Sequence, residues 1–332
     1  MVTNNLFSNG ESLLNKPMNA TKTTTLRAID LFAGIGGIRK GFKSVFKNEI
    51  EFVFSSEIDK NAQKTYYLNY KEIPHGDITT IDEKDIPCHD IILAGFPCQA
   101  FSVAGHRKGF EDTRGTLFFD VIRIAKHHKP KVIFLENVKG FVNHDNGNTF
   151  KVVKKSLIDL GYTLYHQVLN TKDFGIPQNR ERIYIIALLN TSSNFIFPTP
   201  IKKSLKIEDL LQKSVDKQFY YNDKPLYSKI KDDITKSDTL YQWRRQYVRE
   251  NKNNLCPTLT ANMGTGGHNV PIVKDKNGIR KLTPRECLNF QGFDDKFIFP
   301  KDLALSHQYK QAGNSVTVKV IEELAKKIKD VL

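Results

Sequence analysis

The stretch LRAIDLFAGIGGIRKGF, residues 26–42, holds a short apolar strand, a glycine turn and the start of a helix. Glycines let the backbone of such a turn approach a ligand closely, because they carry no side chain. Short apolar strands alternate with helices from here to about residue 190. This alternation predicts a doubly wound, mostly parallel, Rossmann-like α/β sheet, in which ligands bind at the carboxyl ends of the strands.

The chain changes character after Asn190. Residues 191 to about 275 are irregular, rich in Lys, Tyr, Asn, Thr and Gly, and predict a second, smaller domain. Order returns at Arg280, and the chain ends in an amphipathic helix. Residues 1–25 lack the basic and apolar blocks of a signal peptide and are expected to be a mobile polar leader.

Composition narrows the classes of partner. The 332 residues carry 50 Lys and Arg against 36 Asp and Glu, a formal net charge of +14. Such an excess favours a polyanionic partner, most often nucleic acid, although a basic protein without one remains an alternative. The four cysteines form no CxxC pair or zinc-like cluster, so no metal is expected and a reducing cytosol fits. No apolar run reaches membrane-spanning length.

Acidic residues follow the glycine turn at the expected strand ends. Glu57 ends the second strand and suits ribose hydroxyls, and Asp77 is expected to end the next short segment. The turn has neither GxGxxG spacing nor a following GK[ST], so a phosphate clamp is not supported. The pattern predicts a nucleoside pocket without phosphates, as S-adenosylmethionine requires.

The stretch AGFPCQAFS, residues 94–102, places Cys98 behind a proline at the end of a buried strand. Glu136 closes the next strand, and adjacent strand ends of such a sheet lie close together. Cys98 and Glu136 are therefore expected to converge. These residues alone also allow a buried, inert cysteine.

Seven blocks occur in order: DLFAGIGG, GFPCQAFS, RGTLFFD, ENV, QNRERIY, TPRE and QAGNSV. With them the chain resembles the C5-cytosine DNA methyltransferases, specifically the compact bacterial enzymes of the HhaI type. The resemblance covers Leu26 to Ala187 and Lys281 to the C-terminus. It implies transfer of a methyl group from S-adenosylmethionine to carbon 5 of a cytosine flipped out of a short duplex target.

The resemblance also implies catalytic roles. Cys98 matches the nucleophile that attacks carbon 6 of the base, and Glu136 the acid that engages ring nitrogen 3. Arg182 matches the arginine at the exocyclic oxygen, with Arg180 beside it. Donating a proton requires a raised pKa of Glu136, which burial would give.

The resemblance places the cofactor in the same cleft. Ile58 stands where these enzymes often carry tryptophan, so weaker stacking on adenine is expected. Asn314 to Val316 are expected to begin the final helix, which completes the pocket. The implied cofactor-binding residues are Phe32, Gly34, Gly36, Glu57, Ile58, Asp77, Ile78, Pro97, Leu117, Asn314, Ser315 and Val316.

DNA is expected to meet a loop from Phe96 to about Arg114 and the small domain. Arginine bidentate to guanine is the commonest specific base contact. Ala104 stands where the compact enzymes carry a serine that fills the space left by the flipped base. The expected DNA-binding residues are Gln99, Ser102, Ala104, Arg107, Arg114, Arg244, Arg245, Thr258 and Leu259.

The domains are therefore expected to be a leader (1–25), a catalytic and cofactor-binding domain (26–190), a target-recognition domain (191–280) and a hinge with a C-terminal helix (281–332). A cytoplasmic monomer of a restriction-modification system is expected, with a cognate endonuclease that acts on the same site without direct binding.

Three alternatives stay open. The tRNA-aspartate methyltransferases share these motifs, but a recognition region rich in Arg and Gly favours DNA. A DNA-binding regulator that keeps an inactive methylase fold is disfavoured by the intact Cys98, Glu136 and Arg182. A nicotinamide oxidoreductase would need the phosphate-binding glycine pattern.

Overall fold

The computed structural model describes residues 25–97, 117–190, 194–202, 204–265 and 269–332. Within these ranges no helix is long and apolar enough to cross a membrane. The same residues contain no group of three or more His, Cys, Asp and Glu side chains that could hold a metal ion.

A six-stranded sheet forms the centre of the larger part of the molecule. Strands β1 to β4 run parallel, and β6 runs antiparallel to both of its neighbours, so the order is β2-β1-β3-β4-β6-β5. The prediction of a mostly parallel α/β sheet is confirmed. The strands are β1 (Leu26–Leu31), β2 (Ile50–Ser56), β3 (Ile91–Ala94), β4 (Val132–Val138), β5 (Tyr162–Asn170) and β6 (Glu181–Leu189).

Helices cover both faces of this sheet. Asp59 caps the second helix, since its side chain accepts hydrogen bonds from the backbone N–H groups of Asn61 and Ala62. The helices are α1 (Gly37–Phe46), α2 (Lys60–Tyr70), α3 (Leu117–His128), α4 (Asn148–Asp159), α5 (Tyr227–Ile230), α6 (Pro284–Phe290), α7 (Leu305–Asn314) and α8 (Val318–Lys329).

The two faces have separate apolar cores. Helices α1 and α8 pack on one face, where Phe42 and Leu324 share a buried cluster with Phe134 of β4. Helices α3 and α4 pack on the other face. Gly41 permits the α1–α8 contact, because a Cβ there would lie 2.5 Å from the Ile321 side chain. This arrangement returns the C-terminus to the central sheet.

One expected helix start is wrong. Asn314 is the last residue of α7, and the final helix begins only at Val318. Ser315 has extended backbone angles (φ −69°, ψ 165°), which end the helix. Asn314 therefore ends one helix, and residues 315–317 connect it to the next instead of forming the first turn of the final helix.

The irregular region contains a small antiparallel sheet of order β10-β9-β7-β8. Arg280 is almost fully buried and joins this sheet to α6 through ion pairs with Asp275 (2.6 Å) and Glu286 (2.8 Å). Strand β10 spans residue 280, where the sequence predicts a domain boundary. That boundary stays a prediction. The strands are β7 (Tyr241–Trp243), β8 (Val248–Glu250), β9 (Ile272–Asp275) and β10 (Gly278–Lys281).

Candidate functional site

A cleft with a cavity volume of about 600 Å³ lies beyond the carboxyl ends of β1 to β4. This is the edge at which doubly wound sheets bind ligands. Most of the described residues that were predicted for catalysis and cofactor binding line it: Phe32, Gly34, Glu57, Ile58, Asp77, Ile78, Pro97, Leu117, Glu136, Arg180, Arg182, Asn314, Ser315 and Val316.

Some predicted residues lie outside the part of the chain that the structure describes. Pro97 lines the cleft and is the last described residue before residue 117. The predictions that fall beyond it are the nucleophile Cys98 and the DNA contacts Gln99, Ser102, Ala104, Arg107 and Arg114.

The Glu57 carboxylate organises the glycine turn. One of its oxygens accepts a hydrogen bond from the Gly34 N–H, and the other accepts one from the Asp59 N–H, each at 2.7 Å. Burial raises the pKa of Glu57, while these two N–H groups oppose the shift. The turn needs left-handed backbone angles, with φ of 54° at Phe32 and 55° at Gly34. The carboxylate thus fixes the wall of the cleft against which a nucleoside would lie.

Gly36 was predicted to bind the cofactor, but it lies behind the cleft wall. It is absent from the cleft lining and packs against Tyr70, whose hydroxyl donates to the Gly36 carbonyl at 2.7 Å. A Cβ at Gly36 would lie 2.3 Å from the Tyr70 ring, and φ there is 79°. Gly36 therefore shapes the turn from behind.

Asp77 does not end a strand, contrary to expectation. Its side chain caps a single 3-10 turn, Ile78–Thr80, by accepting from the Thr79 N–H at 3.0 Å. Before it the chain makes only an isolated bridge between Ser56 and His75. Asp77 still lines the cleft near Ile58, whose side chain is 67% exposed.

Glu136 and Arg182 form an ion pair on the floor of the cleft. The Arg182 Nε lies 3.1 Å from the Glu136 Oε1, and both side chains are largely buried. Strand β6 brings them together, because Arg182 pairs with Val138 at the end of β4. Burial raises the pKa of Glu136, and the charges of Arg182 and Arg180 offset part of that rise. The net upward shift of the Glu136 pKa is in the direction that favours proton donation.

The other Glu136 oxygen lies towards the segment that leads to Cys98. A Cβ at Gly95 would be 3.7 Å from the Glu136 Oε2. Strands β3 and β4 are adjacent and parallel, with Ala94 opposite Leu135. The predicted convergence thus holds as far as Pro97, one residue before the cysteine.

Asn137 is a residue that the sequence analysis missed. Its buried side-chain amide donates to the Phe96 carbonyl at 3.0 Å, so it anchors the backbone just before Pro97. The ENV block contained it, but nothing in the sequence indicated this contact.

Arg180 was expected beside Arg182 among the catalytic residues, and its hydrogen-bond partners are backbone carbonyls. Its Nη1 donates to the Leu259 carbonyl at 2.7 Å and its Nη2 to the Ser315 carbonyl at 2.6 Å. Burial, together with the nearby Arg182, lowers the pKa of Arg180 to about 9, so it stays charged at neutral pH. Arg182 is thus the arginine that faces Glu136.

Three residues of the cleft wall have a buried polar atom without a hydrogen-bond partner: the Ser56 Oγ, the Arg180 Nε and the Gln311 Nε2. Buried polar groups are normally paired, so unpartnered atoms are unusual, and these three belong to residues that give the cleft a polar wall. Together with the Glu57 carboxylate and the exposed Ile58, they fit a polar nucleoside ligand such as S-adenosylmethionine.

The predicted DNA-binding residues of the small sheet separate into two groups. Arg244 and Arg245 are exposed in the hairpin between β7 and β8. Thr258 is half-buried, and its hydroxyl donates to the Asn179 carbonyl at 2.6 Å. Leu259 is 1% exposed and packs in an apolar cluster, so its side chain belongs to the core instead of a DNA-contacting surface.

Comparisons with known proteins identify the family of the chain. The family model described as C-5 cytosine-specific DNA methylase matches residues 26–330. The chain is 55% identical over 312 residues to the type II methyltransferase M.Bsp6I of Bacillus sp. (strain RFL6), covering 91% of this chain and 98% of that protein. It is 43% identical over 323 residues to the type II methyltransferase M.HhaI of Haemophilus parahaemolyticus, covering 91% and 94%.

A solved structure shares the fold. The Dnmt2 methyltransferase of S. pombe superposes with a TM-score of 0.72 at 21% identity, covering 92% of this chain and 99% of that one.

Proposed function

The chain belongs to the C-5 cytosine-specific DNA methylases, and from this membership we propose how its cleft methylates cytosine in duplex DNA with S-adenosylmethionine as donor. The observation that carries the proposal is the meeting of two half-sites in one cleft. The glycine turn with Glu57 fits a nucleoside, and the Glu136–Arg182 pair fits a pyrimidine.

The first half-site would hold the cofactor. Bound S-adenosylmethionine supplies a methyl group on a positively charged sulfur. Each Glu57 oxygen already accepts one backbone N–H and has a further lone pair for a ribose hydroxyl. The exposed Ile58 offers an apolar face to adenine, and Asp77 and Ser315 offer polar groups at the edges of the cleft.

The second half-site would activate the base. The Cys98 thiolate would attack carbon 6 and displace an electron pair of the ring double bond to carbon 5. Carbon 5 would then take the methyl group as the bond from that group to the donor sulfur breaks, so the donor leaves as a neutral thioether. Protonated Glu136 donates to ring nitrogen 3, and the Arg182 guanidinium stabilises negative charge on the exocyclic oxygen. Loss of the carbon-5 proton then breaks the S–C bond and restores the thiolate.

The base must leave the stack for both ring faces to be reached. The net charge of +14 favours approach to DNA, and exposed Arg244 and Arg245 are placed to read or clamp it. Residues 191–280 would then form the target-recognition domain. We further propose a cytoplasmic monomer that protects the site of a cognate restriction endonuclease, in keeping with the type II methyltransferases that it resembles.

Bisulfite sequencing of plasmid DNA from cells that express the chain tests activity and maps the methylated cytosine. A duplex with 5-fluorocytosine at that position should then trap a covalent adduct at Cys98. Cys98→Ser should abolish both signals, whereas Cys88→Ser, which changes an exposed thiol outside the cleft lining, should retain them. Methyl transfer to tRNA instead of duplex DNA, or an unmethylated plasmid, would refute the proposal.

A further inference from the structure

We propose that Arg180 is a positioning residue that fastens the recognition region to the cofactor pocket, so that each site supports binding at the other. The inference rests on the proposed function, because it assigns S-adenosylmethionine and DNA to these two regions. It differs from a catalytic role, in which the guanidinium would contact the flipped base.

The recognition side of the junction is a strip of hydrogen bonds. Residues 177–180, which lead into β6, lie beside residues 256–259 of the recognition region. Arg180 closes this strip by donating to the Leu259 carbonyl. The other bonds run from Cys256 N to the Pro177 carbonyl (2.7 Å), from Asn179 N to the Cys256 carbonyl (2.8 Å), from the Thr258 hydroxyl to the Asn179 carbonyl (2.6 Å) and from Leu259 N to the Gln178 Oε1 (3.2 Å).

The cofactor side is the turn that follows α7. The Arg180 Nη2 donates to the Ser315 carbonyl at 2.6 Å and lies 3.4 Å from the Gly313 carbonyl. The same turn abuts the recognition backbone directly, because a Cβ at Gly313 would lie 2.2 Å from Thr260 carbonyl atoms. Arg180 therefore links residues 256–259 to residues 313–315 by hydrogen bonds, at a place where the two parts of the chain are already in contact.

The guanidinium suits this position for a geometric reason. It is a rigid fork, so one side chain can donate in two directions to carbonyls of separate segments, whereas an ammonium is a single point of charge. Arg180 is 3% exposed, so truncation would take a buried donor from the Leu259 carbonyl, whereas the Ser315 carbonyl would keep the longer bond from the Gln291 Nε2 at 3.3 Å. The two segments would then keep their contact at Gly313 and Thr260 but lose the guanidinium that bridges them.

A shift of residues 256–259 on DNA binding would be passed through Arg180 to residues 313–315. Coupling of two binding sites is reciprocal, so cofactor should tighten DNA binding by the same factor as DNA tightens cofactor binding. Loss of the junction should weaken the binding of both ligands and bring the coupling factor towards one.

The test compares Arg180→Met and Arg180→Lys with Arg182→Met. Calorimetry gives the Kd of S-adenosylmethionine without DNA, and titration of a duplex with the mapped site gives the DNA Kd with and without the cofactor product S-adenosylhomocysteine. Arg180→Met should raise the cofactor Kd about tenfold or more, as expected for loss of one buried hydrogen bond. It should also weaken DNA binding and reduce the coupling factor, with partial rescue by lysine. Arg182→Met should lower kcat and leave the cofactor Kd within about twofold.

If Arg180→Met lowers kcat alone and both Kd values stay within twofold of wild type, the residue contacts the reacting base and the inference is overturned. Should the methionine variant fail to fold by circular dichroism, Arg180→Lys is judged by the same criteria. Gly313→Ala, a steric wedge at the same crossing, should reproduce the weakened binding; unchanged affinities in that variant would also contradict the junction. Failure of the proposed function is distinguishable, since wild-type protein would then leave plasmid DNA unmethylated.

Discussion

Replacing Asp30 by asparagine should remove a large pH dependence from the free energy of unfolding. Asp30 lies on β1 just before the glycine turn and is 1% exposed. The Tyr66 hydroxyl donates to its carboxyl at 3.2 Å. Burial raises the pKa of Asp30 from 3.8 to about 8, and the nearby Arg39 only partly opposes the rise. The folded protein therefore holds this carboxyl neutral at pH 7.

The magnitude follows from proton linkage. Between pH 4 and 8 the unfolded chain loses the Asp30 proton and the folded chain keeps it, so rising pH favours unfolding. One proton is worth about 1.4 kcal/mol per pH unit, so this residue removes about 2.7 kcal/mol of stability between pH 5 and 7. The loss levels off above about pH 8. Asparagine has the shape of the neutral carboxyl group and cannot ionise. The variant therefore lacks the fall in stability with rising pH that Asp30 causes.

Urea denaturation followed by circular dichroism, from pH 5 to 9, measures the free energy of unfolding of both proteins. The free energy of unfolding of Asp30→Asn, relative to that of wild type, should rise by about 1.4 kcal/mol per pH unit up to about pH 8, with unchanged m-values. A difference that stays constant from pH 5 to 8 would show that the buried carboxyl is ionised in the folded protein and would refute the reasoning.

Three further substitutions test other parts of the structure. Glu57→Gln should raise the Kd of S-adenosylmethionine at least about tenfold in calorimetry, because a charged acceptor is lost; unchanged affinity would contradict its role. Gly36→Ala should cost about 2 kcal/mol or more in urea denaturation through its left-handed angles and the clash with a tyrosine ring. The matched Gly140→Ala, with open space around it, should cost little, and equal losses would argue against strain. Arg280→Met should cost about 3–5 kcal/mol by leaving buried Glu286 without its partner; a midpoint of thermal unfolding close to wild type would count against this.

The local sequence was enough to predict a structural element wherever the interactions that form it lie between neighbouring residues. The apolar runs and the glycine turn specify strands and a turn from neighbouring residues, and each is found where it was expected. The Asp59 cap of α2 is likewise made with the residues next to it in the chain. The ordered motifs likewise identified the methylase family, which the comparisons confirm. Parallel pairing of β3 with β4 then placed Glu136 beside the strand that leads to Cys98.

The tertiary structure decided which partner each of these side chains has. Sequence placed Arg180 and Arg182 side by side, but Arg180 is taken by carbonyls 79 and 135 residues away, and Arg182 by Glu136. Leu259 is buried and Gly36 faces Tyr70 for the same reason, since long-range packing sets their surroundings. Contacts between segments far apart in the chain depend on how the layers meet, and no local pattern of residues contains that information.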